Sequence, residues 1–226
     1  MNAVLYFSCS GQSKAVANYL AEKFDFCAYD ILNCTERNFK SAVIVFPVHC
    51  QTYPPILKNF FKELNAQYIT LIATYGKASA GNAIFEAAKF FKNKVVAAAY
   101  IPAKHTYDFD ERDSAPTVPD EVIQKIKAPS YVKIPRRAKN IFAGLFPAAR
   151  SRAAIKIEKT ADCQNCNDCG KRCPVGAMQC GKPTRKCVRC LKCVYRCPHG
   201  ALKVKKSRIL KAYLKRKRFD RVIIYV

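Results

Sequence analysis

The sequence predicts two modules: a doubly wound α/β domain on a parallel sheet of five strands, then a small α+β domain organised around cysteines. Three observations carry this. The first half alternates short apolar, strand-like runs with amphipathic helical ones. The last third holds "CQNCNDCGKRCP" from Cys163 to Pro174 and "CVRCLKCVYRCP" from Cys187 to Pro198, one pattern written twice. Charge divides in the same place: residues 1–128 carry 14 Lys+Arg against 12 Asp+Glu, whereas residues 129–226 carry 26 against 4, leaving nearly all of the net +24 on the second part. At 226 residues, half of them apolar, the chain has room for one domain of ordinary size and a smaller one. The expected boundaries are 1–128 for the α/β domain, 129–154 for a basic connector, 155–206 for the cysteine domain and 207–226 for a basic C-terminal extension.

The elements follow in order. "AVLYFS" is a first strand, and "KAVANYLAEKF" places Ala15, Val16, Tyr19, Leu20 and Phe24 at helical spacing. "CAYDIL" is a weaker strand and "SAVIVFPV" a buried one. "PPILKNFFKEL" opens with prolines suited to a first helical turn and turns Ile56, Leu57, Phe60, Phe61 and Leu64 toward a core. "YITLIATYG" is the next strand, "NAIFEAAKFF" a helix and "KVVAAAYI" the last strand. Strands interleaved with helices imply a parallel sheet covered on both faces, because right-handed crossovers put the helices there. Beyond Pro102 come an acidic, turn-rich stretch, "KHTYDFDERDSAPTVPDE", a further helix in "EVIQKIK", and the connector. In the connector, Ile141, Phe142, Leu145 and Phe146 are expected to pack between domains, with an amphipathic membrane-surface helix as the alternative.

A doubly wound sheet binds its ligand beyond the carboxyl ends of the strands, where strand order reverses. The loops there are "SCSGQS" (Ser8 to Ser13), "PVHCQTYPP" (Pro47 to Pro55) and "TYGKASAG" (Thr74 to Gly81). The first offers hydroxyls, a glycine and a helix N-terminus whose free amides favour a phosphate. It lacks the lysine of GxxxxGK[ST] that a nucleoside triphosphate usually needs, and suits the phosphate of FMN better. His49, Tyr53 and Tyr75 are flat groups able to flank an isoalloxazine ring. Strand, "FSCSGQS" and helix together resemble the phosphate loop of flavodoxins, with Ser8, Ser10, Gly11 and Ser13 at that family's hydroxyl and glycine positions and Cys9 where glycine is frequent. The resemblance implies a flavodoxin-like fold and an FMN site from Ser8, Ser10, Gly11, Gln12 and Ser13, with Pro47, Val48, His49 and Tyr53, and Thr74, Tyr75 and Gly76.

Each cysteine run is CxxCxxCxxxCP. Zinc would be served by CxxC pairs, but it explains neither the third cysteine, nor the xxxCP ending, nor the repetition. The runs resemble those of bacterial two-cluster ferredoxins, where three close thiolates hold three corners of a [4Fe-4S] cubane and the fourth reaches across to the other cluster. That resemblance implies one cluster on Cys163, Cys166, Cys169 and Cys197 and a second on Cys187, Cys190, Cys193 and Cys173. Cys9, Cys27, Cys34, Cys50 and Cys180 are expected to be plain thiols, and His199 to lie beside the ligands without being one. Flavodoxin-like half first and two-cluster ferredoxin half second, nearly the whole chain resembles the flavodoxin-ferredoxin fusion proteins of anaerobes.

Function follows as electron transfer between FMN, two [4Fe-4S] clusters and a redox partner. One alternative is a flavin-dependent reductase of a small substrate or quinone, fed by the clusters; no catalytic side chain is singled out for it. The other is a nucleic-acid binder stapled by Fe-S clusters, for which "KVKKSRILKAYLKRKRFDR" would suit phosphates. It is weaker, because the positive charge runs through the cluster region itself at Lys171, Arg172, Arg185, Lys186, Arg189, Lys192 and Arg196, and because it leaves the first half without a task. The expected partner is an acidic redox protein, with an anionic membrane surface as the second choice. Lys192 and Arg189 are expected to be exposed and screened. No run reaches the ~18 apolar residues of a spanning helix, and Met1 to Ser8 does not read as a signal peptide. A cytoplasmic location is expected, where a dense cysteine set reads as metal-binding.

Overall fold

The computed structural model describes residues 1–108, 117–138, 147–215 and 219–226. They form two compact units: one from residues 1–105, 117–138 and 219–226, the other from 106–108 and 147–215. Ile141, Phe142, Leu145 and Phe146 of the connector, and residues 109–116 of the acidic stretch, lie outside the described residues.

In the first unit, β1 (Asn2–Tyr6) leads to α1 (Gln12–Phe24), β2 (Cys27–Asp30) and β3 (Asn38–Pro47). A 3-10 turn at Pro55–Leu57 runs into α2 (Lys58–Glu63), followed by β4 (Asn65–Tyr75), α3 (Ala83–Ala88), β5 (Val95–Pro102) and α4 (Asp120–Lys127). The strands lie in the order β2-β1-β3-β4-β5, each pair parallel. This is the doubly wound order whose switch point falls between β1 and β3. Ala42–Phe46 and Ile69–Tyr75 are buried throughout, which is why β3 and β4 read as continuous apolar runs and do not alternate. Val16, Ala17 and Leu20 of α1, with Val122, Ile123 and Ile126 of α4, belong to one core with Val4, Val43, Ile72 and Ala99 of the strands. A second group, Phe46, Tyr53, Phe61, Phe90 and Phe91, is linked by ring contacts 5.3–5.9 Å apart between centroids. The helix expected through "NAIFEAAKFF" stops at Ala88, because Phe90 and Phe91 turn back onto the carbonyls of Ala87 and Ala88 to send the chain into β5.

The second unit runs α5 (Pro147–Ala154), β6 (Ile155–Lys159), α6 (Asp168–Lys171), β7 (Met178–Gln179), β8 (Lys182–Pro183), α7 (Lys192–Tyr195), β9 (Leu202–Lys206) and α8 (Arg208–Leu214). β6 pairs antiparallel with β9, and β7 with β8. Ser207 starts α8, its hydroxyl accepting from Leu210 N–H at 3.2 Å.

The chain then returns to the first unit. β10 (Ile223–Tyr225) adds antiparallel to β5, with Ile223 opposite Tyr100 and Tyr225 opposite Ala98, so the sheet has six strands where the sequence predicts five. The run "VIIYV" is short and follows a dense basic stretch, which hides it as a strand. The buried Tyr75 ring anchors it. Its hydroxyl, with one proton to give, lies 2.5 Å from Arg221 O and 3.0 Å from Phe219 O, and accepts from Arg221 N–H at 3.1 Å. An added strand also covers the β5 edge, which would otherwise present unpaired amides. Among the described residues, no helix is long and apolar enough to cross a membrane.

Candidate metal centre

The two cysteine runs are repeated in three dimensions as well as in sequence. Asn165 and Arg189 hold φ at 55° and 57°, Asn167 and Leu191 at 56° and 59°, Gly176 and Gly200 at 59° and 57°. Backbone bonds recur in step: Cys163 N–H to Thr160 O and Cys187 N–H to Thr184 O, Lys171 to Asn167 and Tyr195 to Leu191, Gly176 to Cys173 and Gly200 to Cys197. Two left-handed residues between the first three cysteines of each copy turn the chain sharply, and in the first copy Cys163, Cys166 and Cys169 line one recess.

Strand pairing brings the end of each run beside the start of the other. β9, which follows the second run, pairs with β6, which precedes the first. β7, which follows the first run, pairs with β8, which precedes the second. Matching bonds tie the junctions, Thr160 N–H to Ala201 O at 2.9 Å and Thr184 N–H to Ala177 O at 2.8 Å. Each run's last cysteine is thereby carried to the start of the other.

Cys163, Cys166, Cys169 and Cys197 line one recess of about 310 Å³, its open mouth included, together with Asn167, Asp168, Gly181 and Leu202. Cys187 and Cys193 of the second run are buried in one apolar cluster, with Cys169, Cys173 and Cys197 packed against it. Burial pushes the Cys193 thiol up to about 12, and Cys190, Cys187, Cys173 and Cys169 push it the same way. A thiol so placed holds its proton unless a cation replaces it. Backbone amides also point at sulfur: Gly181 N–H donates to Cys169 Sγ at 3.2 Å and Ala177 N–H to Cys173 Sγ at 3.1 Å. Such bonds favour a charged thiolate and help set a cluster's potential. Among the described residues, no three His, Cys, Asp or Glu side chains converge as one metal ion would need. A cubane spreads its four thiolates over four irons and needs no such convergence, so the donor set and its spacing fit the cluster.

Four further residues of this unit bear on the sequence reading. Cys180 lines the same recess as the first set, its thiol 3.8 Å from Asn165 O. His199 is exposed and also borders that recess. Arg189 is not exposed as expected: only 9% of it is accessible, because its Nε donates to Ile155 O at 3.0 Å and the side chain turns inward. Lys192 is half-buried. Nothing in a basic run marks one arginine as buried, and Arg189, between Cys187 and Cys190, reads like its neighbours.

In the first unit, the loop Ser8–Ser13 lies beyond β1, at the switch point. Gly11 takes φ 101°, caps α1 and has open space where a Cβ would stand, and its N–H donates to Ser8 Oγ at 3.1 Å. Ser13 is buried and its hydroxyl is shared with Thr74 at 2.7 Å, so it joins α1 to β4. Gln12 and Ser10 are half-buried at the helix start. In the second loop, Pro47 and Val48 are half-buried, His49 closes a tight turn with Thr52, and Tyr53 rests on Phe61 and Phe90. In the third, Tyr75 is 2% exposed and Gly76 abuts His105, where a Cβ would come within 2.5 Å. The phosphate end of an FMN site therefore fits the first loop. Tyr75 does not fit as a ring flank, because its face is buried and its hydroxyl holds the returning chain.

Residues 184–203 match the 4Fe-4S binding domain family, a stretch that contains Cys187, Cys190, Cys193 and Cys197. No curated protein matches the chain. The chain thus carries a ferredoxin-type 4Fe-4S binding region near its C-terminus, preceded by a parallel α/β sheet domain, and such a region suggests electron transfer.

Proposed function

We propose that this is a cytoplasmic electron-transfer protein holding two [4Fe-4S] clusters, on Cys163, Cys166, Cys169 and Cys197 and on Cys173, Cys187, Cys190 and Cys193, with FMN at the Ser8–Ser13 loop. The observation that supports it best is the crossed pairing of β6 with β9 and β7 with β8, together with the recess that Cys197 lines with Cys163, Cys166 and Cys169; Cys173 packs against the cluster that contains Cys187 and Cys193. When bound, the clusters supply one-electron chemistry and the flavin one- or two-electron chemistry. The chain's own part is to hold and adjust. Ala177 and Gly181 amides point at ligand sulfurs, and Ile155, Ile157, Leu191 and Leu210 keep water from the second set. Ser8 and Ser10 hydroxyls with the α1 amides would receive the phosphate, Ser13 being held by Thr74. The basic second half favours an acidic redox protein as partner, through fast, salt-sensitive association, with an anionic membrane surface as the second choice.

The test is anaerobic purification of the full chain with iron, acid-labile sulfide and flavin analysis. Iron and sulfide in equal amounts, with FMN, are expected; chelatable zinc without sulfide would overturn the cluster assignment. Ser10→Asp sets a fixed negative charge against the phosphate. It should cut FMN content at least tenfold and leave iron unchanged. Unchanged FMN in that variant would remove the loop from the site.

A further inference from the structure

The two cysteine runs share a backbone but not an electrostatic setting. At their third positions stand Asn165 and Arg189, both left-handed. Asn165 is exposed, suits that conformation and takes Lys159 Nζ at 2.5 Å. Arg189 is 9% exposed, and beyond the bond from Nε to Ile155 O its buried Nη1 has no hydrogen-bond partner. Its carbonyl accepts from Tyr107 Oη at 3.0 Å, so the backbone is held as well. A guanidinium stays protonated, and burying one without a counter-charge is costly. No ion pair with a carboxylate holds it among the described residues. The first run carries Asp162 and Asp168, the latter paired with Arg172 at 2.7 Å. From Thr184 to Pro198 there is no Asp or Glu, against Arg185, Lys186, Arg189, Lys192 and Arg196. The negative charge that Arg189 lacks is what a thiolate-bound cluster between Cys187 and Cys193 would provide.

We propose that Arg189 tunes the second cluster site: its buried positive charge makes the site of Cys173, Cys187, Cys190 and Cys193 the more readily reduced of the two. This rests on the two-cluster reading above. Each site takes one electron from a donor protein, and the added negative charge is favoured where a cation lies close and unscreened. Burial of Cys187 and Cys193, at 6% and 7% exposure, acts in the opposite sense by disfavouring added charge. Without the arginine, the second site should therefore lose its lead.

The experiment is an anaerobic redox titration followed by EPR on the full, cluster-loaded chain, comparing wild type with Arg189→Gln, Arg189→Lys and Lys186→Gln. A Cys166→Ser background, which disables the first site, identifies the step belonging to the second. Arg189→Gln should lower the reduction equilibrium constant of that step at least tenfold, about 59 mV for one electron, and leave the other step in place. Arg189→Lys should retain most of the wild-type value. Lys186 is exposed beside Cys187, so Lys186→Gln should shift the step far less, and the shift should vanish in about 1 M salt. Unmoved steps in Arg189→Gln, or an equal shift in Lys186→Gln, would overturn the proposal. If Arg189→Gln fails to hold iron, the wild type decides: a gap between the two steps that collapses in high salt would assign it to surface charge. A chain without iron and sulfide would instead sink the proposed function itself.

Discussion

The two units are held together by different means. In the first, Leu5, Leu20, Ile44, Phe46, Leu57, Phe61, Ile69, Leu71, Ile72 and Ile84 are fully buried, a layered core of strands and helices. In the second, the buried apolar cluster is Ile155, Ile157, Ala177, Met178, Cys187, Leu191, Cys193, Leu202 and Leu210. Two of those nine are cysteines, and its strands are two to five residues long. A region of this size buries too little apolar surface to fold securely alone, and natural solutions add a metal or a disulfide. With the proposed cluster on Cys187 and Cys193, metal binding would be part of folding.

Removal of the metal is the largest expected break in that comparison. Stripping iron anaerobically from the loaded protein should abolish amide-exchange protection across α5 to α8 while β1, β3, β4 and β5 keep theirs. Hydrogen exchange with mass spectrometry reads this peptide by peptide. Retained protection in β6 and β9 would mean that the nine apolar residues suffice and that the contrast between the units is false.

A smaller effect separates cysteines within the second unit. Cys193 is 7% exposed and central to its set, whereas Cys180 borders the first recess from the link between copies. Cys193→Ala should lose about half of the iron and destabilise the unit, and Cys180→Ala should leave the iron content as it was. Iron and sulfide analysis of the two variants checks this. Equal loss in both would place Cys180 among the ligands.

The parallel order of the five strands was legible because buried strands and amphipathic helices leave periodic signals, and those signals come from burial itself. The cysteine runs were legible for a different reason: their regular spacing is itself a sequence pattern, and the second run lies in the stretch that matches the 4Fe-4S binding domain family. What escaped has no such signature. Arg189 is one basic residue among several, and its inward turn depends on the carbonyl of Ile155, distant in sequence. Tyr75 looked like a ring for a flavin, because an aromatic residue at a strand end reads the same whether its face is open or covered by residues 219–221. The bond between the Ser13 and Thr74 hydroxyls, which ties α1 to β4, joins residues far apart in sequence and left no local signal.

The smallest predicted effect sharpens the comparison at the point where the chain returns to its first unit. Tyr75→Phe keeps the ring in its place, 6.1 Å from Phe219 and 6.5 Å from Tyr100 between centroids, and removes only the hydroxyl. Burial pushes that phenol above its ordinary pKa, so it is a neutral donor near pH 7 and the substitution removes no charge. The loss leaves the carbonyls of Phe219 and Arg221 without their shared donor and Arg221 N–H without its acceptor. A buried group left unsatisfied costs about 1–3 kcal/mol, but this segment borders water, which can replace part of the bonding, so the lower end is expected. β10 has three residues and, among the described residues, pairs with β5 alone. Its opening should therefore speed about fivefold to tenfold, as about 1–1.4 kcal/mol implies, while exchange in β3 and β4 stays unchanged. The iron content should not move either. Faster exchange spreading into β4 would show that the returning strand supports the whole sheet, and no change at residues 223–225 would show that pairing with β5 holds it without Tyr75.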